Sequence, residues 1–421
     1  MVNAMVESVT IFNFGSCPKC FDETLLLPSE EKYAIERVAD PASWDGTRTD
    51  VAVITGYLVP GDAAVVEQIA ANAGQVIAFG TCAVTAGPFG LASAKGTKFL
   101  AAREVAKDAI ELPACLGEWF ELYEAIQGNA PQRPYKKLCS TCKRRSTCKF
   151  LSEVVRQLDP ATDEESCFND RGFACNGYVA RQCKEKCIDQ FTPCRACKPL
   201  IDRPGIRMLS MFGTLVANVE VATEATGGIA GTDKLADGPD DVTRGVPDVS
   251  GVFFRFSLPV EMPLGKVLSS GNILSNVFTG RMIEELPLIA GMLGGQNAIS
   301  MQLDIIEAYE QGTGIEVTDV VKTHRNNLRE LESQIMTAIE NSDAVAYGGT
   351  TEQIRQVAGN MNLSRVYFGG FKTVIPGEQA SFEEYKAKII EFKQGTYQAG
   401  NVAYTLDAEG KVTDFTWSVK A

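Results

Sequence analysis

The sequence predicts an α/β protein with a parallel sheet at its N-terminus, an irregular cysteine-dense middle and a small α+β region at its C-terminus. Three observations carry that expectation. Short apolar runs that end on Gly-Ser or Gly-Thr alternate with helical patterns before residue 83. Nine of the thirteen cysteines then fall within the fifty-nine residues from Cys139 to Cys197. Beyond Cys197 there is no cysteine, and amphipathic helical stretches give way to short alternating runs. The expected divisions are 1–135, 136–260 and 261–421.

Residues 8–14, SVTIFNF, form an apolar, β-branched and aromatic run ending in Gly15-Ser16, the pattern of a buried strand entering a tight turn. Cys17-Pro18-Lys19-Cys20 sits on that turn. The following stretch, 21–38, reads as a helix. That places the two thiols between a strand's C-terminal end and a helix N-terminus, the crevice where open α/β sheets put their ligands. TDVAVITGY (49–57) and QVIAFG (75–80) repeat the strand pattern around the helical AAVVEQIAANAG (63–74), giving a βαβ unit. The second of these strands ends in Gly80-Thr81-Cys82, so parallel neighbours would gather Cys82 with Cys17 and Cys20. Cys115 is the last cysteine before the central stretch and completes a set of four.

Three chemistries compete for these thiols. Disulfides suit small secreted scaffolds. A chain of 421 residues, 45% hydrophobic, can bury its own core, and it opens on no charged, apolar, small-residue leader, so a cytoplasmic location is expected. Structural zinc needs closed sets of four ligands, which here would be all cysteine, because the one histidine, His324, lies far along the chain. Iron–sulfur clusters also take four thiolates each, and twelve of the thirteen cysteines fill three cubane clusters with one thiol over. That arithmetic is the better fit; a non-redox scaffold with all-cysteine zinc sites stays as the alternative.

The formal net charge of −13 argues against a nucleic-acid partner. Apolar stretches are broken by charge, Gly or Pro before the roughly 18–20 residues that a membrane span needs. A local basic cluster, Lys136, Lys137, Lys143, Arg144, Arg145 and Lys149, surrounds the first central cysteines, where it either offsets a thiolate-ligated cluster or forms a solvated loop. No nucleophile–base pair, dicarboxylate site or nucleotide loop stands out, so no catalytic residue is expected in this chain.

The set GSCPKC, AFGTCAVTAG and PAC resembles the proximal-cluster motifs of the small, electron-transfer subunit of [NiFe] hydrogenases. Cys139-x2-Cys142, SCFNDRGFACNGYVARQC, TPCRACKP and DVSGVFFRFSLP (248–259) are similar to segments of the cytoplasmic methyl-viologen-reducing hydrogenase of methanogens that is linked to heterodisulfide reductase. The resemblance covers about residues 8–260 and implies a flavodoxin-like N-terminal domain and three [4Fe–4S] clusters. By the same resemblance, Cys17, Cys20, Cys82 and Cys115 hold the proximal cluster, Cys183, Cys187, Cys194 and Cys197 the medial one, and Cys139, Cys142, Cys167 and Cys175 the distal one. Cys148 is the odd thiol and can replace Cys139 or Cys142. The implied partners are a large subunit, with a nickel–iron site if active, and an acceptor such as a ferredoxin-like or heterodisulfide-reductase-linked protein. Lys19 stands where the family usually has Gly, and Ala114-Cys115-Leu116-Gly117 replaces the familiar GCPP. Asp22 falls where many members carry a Glu linked to proton movement; the plainer reading is a carboxylate favoured at a helix start. Loops 15–24, 80–90 and 113–119, with Phe21, Phe89, Trp119 and Phe120, predict an apolar edge that a partner subunit covers.

Residues 207–222 hold a short helical patch, and a Gly/Asp/Pro-rich surface stretch follows to about 248. Beyond 261, residues 280–311 predict helix broken at Gly294-Gly295, and 318–341 predict an amphipathic helix bearing Leu328, Leu331, Ile335 and Ile339 on one face. His324 in that helix reads as a surface or satisfied polar residue. AVAYGG (344–349) and SRVYFGG (364–370) read as strands around a helix, and 401–419 as a terminal hairpin turning near Ala408-Glu409-Gly410.

Overall fold

The computed structural model describes residues 6–15, 17–28, 33–129, 136–144, 166–183, 186–189, 192–199, 203–213, 246, 248–261, 273–293, 295–358 and 393–418. Strands β1 (Ser8–Phe14), β2 (Ala34–Val38), β3 (Thr49–Gly56), β4 (Ala73–Phe79) and β5 (Ile110–Leu112) form one sheet in the order β2-β1-β3-β4-β5. All four pairings are parallel. This is the doubly wound order in which ligands sit at the β1/β3 switch point. β3 is buried from Val51 to Gly56, and Ile11, Phe12, Val53 and Ile54 are fully enclosed, as a parallel sheet covered on both faces requires. Gly56 ends β3 at φ 81, with Phe14 O only 1.5 Å from where a Cβ would stand.

The expected helix over 21–38 is corrected. Helix is confined to Lys19–Glu23 and continues as a single 3-10 turn, Thr24–Leu26, ahead of Pro28. Ala34–Val38 is instead the edge strand β2, in register with Ser8–Phe12. The backbone partner offered by β1 outweighs the weak helical preference of so short a stretch. The expected placement of Cys17 and Cys82 on neighbouring strands also changes: β3 lies between β1 and β4, which puts the two strand axes about 10 Å apart.

The C-terminal region is helical before it is stranded. Leu286–Leu293 and Ala298–Thr313 flank a 3-10 turn at Gly295–Asn297, close to the predicted break, and Asp319–Glu340 is the predicted amphipathic helix with Leu328 and Ile335 buried. AVAYGG is not a strand but the start of a helix, Ala344–Ala358. The Asp343 carboxylate accepts from Ala346 N at 2.9 Å, and Tyr347 and Ile354, two turns apart, bury against Leu328 and Ile335. SRVYFGG lies outside the described residues. The terminal hairpin β7 (Val402–Leu406) and β8 (Val412–Trp417) is present, and β6 (Gly395–Ala399) adds a third antiparallel strand. Tyr404 Oη donates to Ile305 O at 2.8 Å, which fixes the sheet against the Ala298–Thr313 helix, and Phe415 stacks on Phe278 at 3.9 Å, which fixes it against the Ile273–Phe278 helix.

One apolar core joins these parts, running from Cys17, Cys82 and Phe89 through Phe168, Cys175 and Phe254 to Leu286, Ile305 and Phe415. A buried ionic group crosses it: Glu285 pairs with Arg195 at 2.9 Å and also with Arg255, and both guanidinium groups are fully enclosed. Burial works against the Glu285 charge, but Arg195 and Arg255 outweigh it and hold the carboxyl at about 2. Its folded-state value lies below the ordinary 4.5, so its contribution to stability is complete above 4.5 and is lost as pH falls towards 2. Glu285→Gln is expected to cost about 3–5 kcal/mol, because two buried cations lose their counter-charge. Denaturant midpoints at pH 7 and pH 3 check this, the difference between variant and wild type shrinking at the lower pH.

Candidate functional site

The first set of thiols stands along the C-terminal edge of the parallel sheet. Cys17 follows β1, Cys20 lies in the Lys19–Glu23 helix, Cys82 in the Thr81–Thr85 helix after β4, and Cys115 after β5. Gly80 N donates to Leu112 O at 3.0 Å and Thr81 N to Ala114 O at 2.9 Å, so the β4 and β5 ends are tied together just where Cys82 and Cys115 leave them. Burial pushes the Cys82 thiol well up, and the nearby Cys17, Cys115 and Cys20 sulfurs push it further. Burial likewise raises Cys17, and it takes Cys20 up to about 12. Two glycines make the approach of these sulfurs sterically possible. A Cβ on Gly80, at φ 93, would stand 2.6 Å from Cys20 Sγ, and one on Gly87, at φ 52, 2.8 Å from Cys82 Sγ.

The remaining thiols continue from that edge. After burial, the Cys115 thiol is raised chiefly by Cys197, which links the first set to the one formed by Cys183, Cys187, Cys194 and Cys197. Within the latter, burial, then Cys197 and Cys183, raise Cys187. Cys194 N donates to Cys175 Sγ at 3.3 Å, and so leads to Cys139, Cys142, Cys167 and Cys175. In that third set burial, then Cys175, Cys167 and Cys142, take Cys139 up to about 12. Cys139 is exposed, whereas Cys17, Cys82, Cys175 and Cys194 are buried. Cys148 lies outside the described residues.

These sulfurs suit a thiolate-bound cofactor chemically. The twelve described cysteines form no disulfides. Backbone N–H groups point at sulfur from Gly117 to Cys20 at 3.5 Å, from Cys194 to Cys175 at 3.3 Å, and from Ala196 to Cys194 at 3.3 Å, an arrangement that would stabilise thiolate and tune a cluster bound to it. Among the described residues, no three or more Cys, His, Asp or Glu side chains form a group that could hold a single metal ion. Ligation would displace thiol protons that burial otherwise retains.

The cover over the first set comes from this chain. Cys17 Sγ donates to Met292 O at 3.7 Å, and Lys19 Nζ to Gly291 O at 2.9 Å. Phe256 and Met292 pack against Cys115, Cys187 and Cys197, and Thr81 Oγ1 donates to Cys197 O at 2.7 Å. Phe89 is fully buried within the chain, while Phe21, Trp119 and Phe120 are half-buried, so part of the apolar edge expected to await a partner is already enclosed. Asp22 is buried too. Burial takes its carboxyl up to about 6, against the lowering effect of a hydrogen bond from Gln296. Gly291, Met292, Gln296 and Glu332 carried no sequence signal for this site, because their approach depends on the path of a distant segment.

The basic cluster is divided. Lys136, Lys137 and Lys143 are exposed around Cys139, and Lys137 Nζ stands 4.0 Å from the Tyr178 ring centre. Arg144 is corrected from that rim: it is buried over the Phe168 ring at 4.1 Å and donates to Ser166 O at 2.9 Å. Arg145 and Lys149 lie outside the described residues. His324 is half-buried in the Asp319–Glu340 helix.

Residues 13–127 match the family described as NADH ubiquinone oxidoreductase, 20 Kd subunit. Four relatives are F420-non-reducing hydrogenase G subunits of methanogens. The chain resembles these G subunits. It is 25% identical over 135 residues to the vhu G subunit of Methanocaldococcus jannaschii, covering 32% of this chain and 40% of that protein. With the G subunit of Methanothermobacter thermautotrophicus it shares 24% over 176 residues, 40% of this chain and 54% of that protein. With the vhu G subunit of Methanococcus voltae the identity is 27% over 138 residues, 32% and 41% of the two chains. The chain thus spans about half or less of the length of these hydrogenase subunits. Among the described residues, no helix is long and apolar enough to cross a membrane.

Gly80→Ala is expected to destabilise the protein by about 1–3 kcal/mol, from strain at a positive φ together with the displaced Cys20 sulfur. Thermal unfolding measures the loss, and faster alkylation of Cys20 by a thiol reagent locates it.

Proposed function

We propose that this chain is the electron-relay subunit of a cytoplasmic hydrogenase or hydrogenase-like complex. The observations that carry the reading are that Phe256 and Met292 pack against both Cys115 and Cys197, and that Cys194 N donates to Cys175 Sγ, which supports a serial arrangement of the three sets. Three [4Fe–4S] clusters held by these twelve cysteines would supply one-electron transfer. The chain's own work is to enclose the inner sulfurs, present N–H donors to them and exclude water. The exposed Cys139 end, ringed by Lys136, Lys137 and Lys143, suits exchange with an acidic acceptor, ferredoxin-like or linked to heterodisulfide reductase. A large subunit would supply any hydrogen chemistry.

A second reading keeps the relay and removes the hydrogen chemistry. It is favoured by the Leu286–Leu293 helix, whose Gly291 and Met292 carbonyls bind Lys19 and Cys17 on the edge otherwise expected to face a catalytic subunit. The sequence of the co-purifying large subunit separates the two: paired CxxC motifs able to hold nickel and iron support a hydrogenase, and their absence supports the second reading.

The anaerobically prepared protein is expected to hold about twelve irons and as many acid-labile sulfides. Values near four or eight would reject three clusters, and zinc without iron would reject the relay altogether. Cys148→Ser is expected to leave the iron content unchanged, while Cys167→Ser or Cys175→Ser loses a cluster. Iron loss in the Cys148 variant would show that the third set is drawn wrongly.

A further inference from the structure

Residues 180–182 run between two other thiol-bearing stretches. On one side Leu138 N donates to Ala180 O at 2.9 Å and Gln182 N to Lys136 O at 2.8 Å, with Lys137 and Arg181 paired in an antiparallel bridge. On the other side Arg181 N donates to Lys198 O at 2.9 Å, and Ala180 pairs with Pro199. Because successive peptide groups of an extended chain face opposite ways, one short stretch holds both neighbours. Cys139 directly follows the first neighbour, Cys197 directly precedes Lys198, and Cys183 lies two residues beyond Arg181.

The Arg181 side chain, at 3% exposure, reaches a further segment. Its Nη2 donates to Pro113 O at 3.1 Å, two residues ahead of Cys115, and to Glu121 Oε2 at 2.7 Å in the Trp119–Ile126 helix. Lys198 Nζ binds Glu118 and stands 3.4 Å from Glu121 Oε1, so the Trp119–Ile126 end is tied to residue 198 as well. Enclosing a guanidinium penalises every arrangement that strips it of these acceptors, which leaves little play between the segments. Arg181 thus holds the Cys115 loop through its side chain, the Cys197 loop through its N–H and the Cys139 loop through its bridge to Lys137.

We propose that Arg181 fixes the spacing and relative orientation of the three thiol sets, and thereby the coupling between the clusters they would bind. This rests on the relay reading. One electron passes from a reduced cluster to an oxidised neighbour, with no bond made or broken. Arg181 takes up neither electron nor proton. Tunnelling falls exponentially with the gap between the partners, so displacements of order 1 Å, which matter wherever geometry sets a rate, act on transfer before they act on ligation. Arg181 is therefore a positioning residue.

The test compares wild type, Arg181→Met and Arg181→Lys as the intact complex prepared anaerobically, with iron counted in each. Neighbouring clusters that are both reduced and paramagnetic split or broaden each other's electron paramagnetic resonance signals, steeply with distance. In Arg181→Met the iron content is expected to stay at the wild-type value, while that splitting in the fully reduced sample changes. Hydrogen exchange is expected to quicken together in 113–116, 136–140 and 196–199, with β1 and β3 unaffected. Arg181→Lys, whose ammonium ends one bond short of Nη2, is expected to show the same spectral change to a smaller degree. Wild-type splitting in Arg181→Met with iron retained overturns the proposal and leaves the relay reading intact, even if the variant melts earlier. If Arg181→Met loses iron, Arg181→Lys decides: altered splitting supports the proposal and wild-type splitting overturns it. Wild-type complex without iron at these cysteines overturns the relay reading, and this proposal with it.

Discussion

Glu285, enclosed between Arg195 and Arg255, is the contact on which the arrangement of the chain depends. Arg195 lies between Cys194 and Cys197, Arg255 belongs to the segment after Asp248, and Glu285 precedes the Leu286–Leu293 helix, so one carboxylate joins three stretches far apart in sequence. Asp248 adds to the group by pairing with Arg281 at 2.6 Å. Buried ion pairs contribute little net stability compared with apolar packing, but they penalise every arrangement in which one partner is left alone. Here that penalty fixes the helix carrying Gly291 and Met292 over the first thiols.

The same C-terminal region is tied down a second time on its far side. Arg325 pairs with Glu310 through two bonds of 2.7 Å, and Arg329 reaches both Asp304 and Glu307, so the Asp319–Glu340 helix is clamped along the Ala298–Thr313 helix. Asn401 N in turn donates to Asp304 Oδ2 at 3.0 Å, linking the terminal sheet. The Ala344–Ala358 helix then reaches back to Leu25 and Leu26, beside the Lys19–Glu23 helix. The region beyond 261 therefore contacts Cys17 and Lys19 through Met292 and Gly291 and the Leu25–Leu26 turn through the Ala344–Ala358 helix, and among the described thiols Cys139 is the exposed one.

Much of the sheet was legible because its strands are buried on both faces. Runs such as SVTIFNF and TDVAVITG have few alternatives, and their Gly-terminated ends place Cys17 and Cys82 on one edge without further information. β2 was not legible. AIERV is an edge strand with only half its side chains sheltered, and its local preference does not separate strand from the tail of a helix. AVAYGG failed in the opposite direction: β-branched and aromatic residues beside two glycines read as strand, yet the Asp343 cap and the spacing of Tyr347 and Ile354 make it helix once a core is present to receive them.

The sequence by itself determined that any ligand set here would be thiol, because there is one histidine in the whole chain, and it determined which strand ends carry the first thiols. Only the tertiary structure decided that β3 lies between the strands leading to Cys17 and Cys82, that Phe256 and Met292 pack against both Cys115 and Cys197, and that Lys19 donates to Gly291 O. Those contacts join residues up to 272 positions apart. Local propensity does not register such separations; they are fixed by where apolar faces and buried charges find their complements.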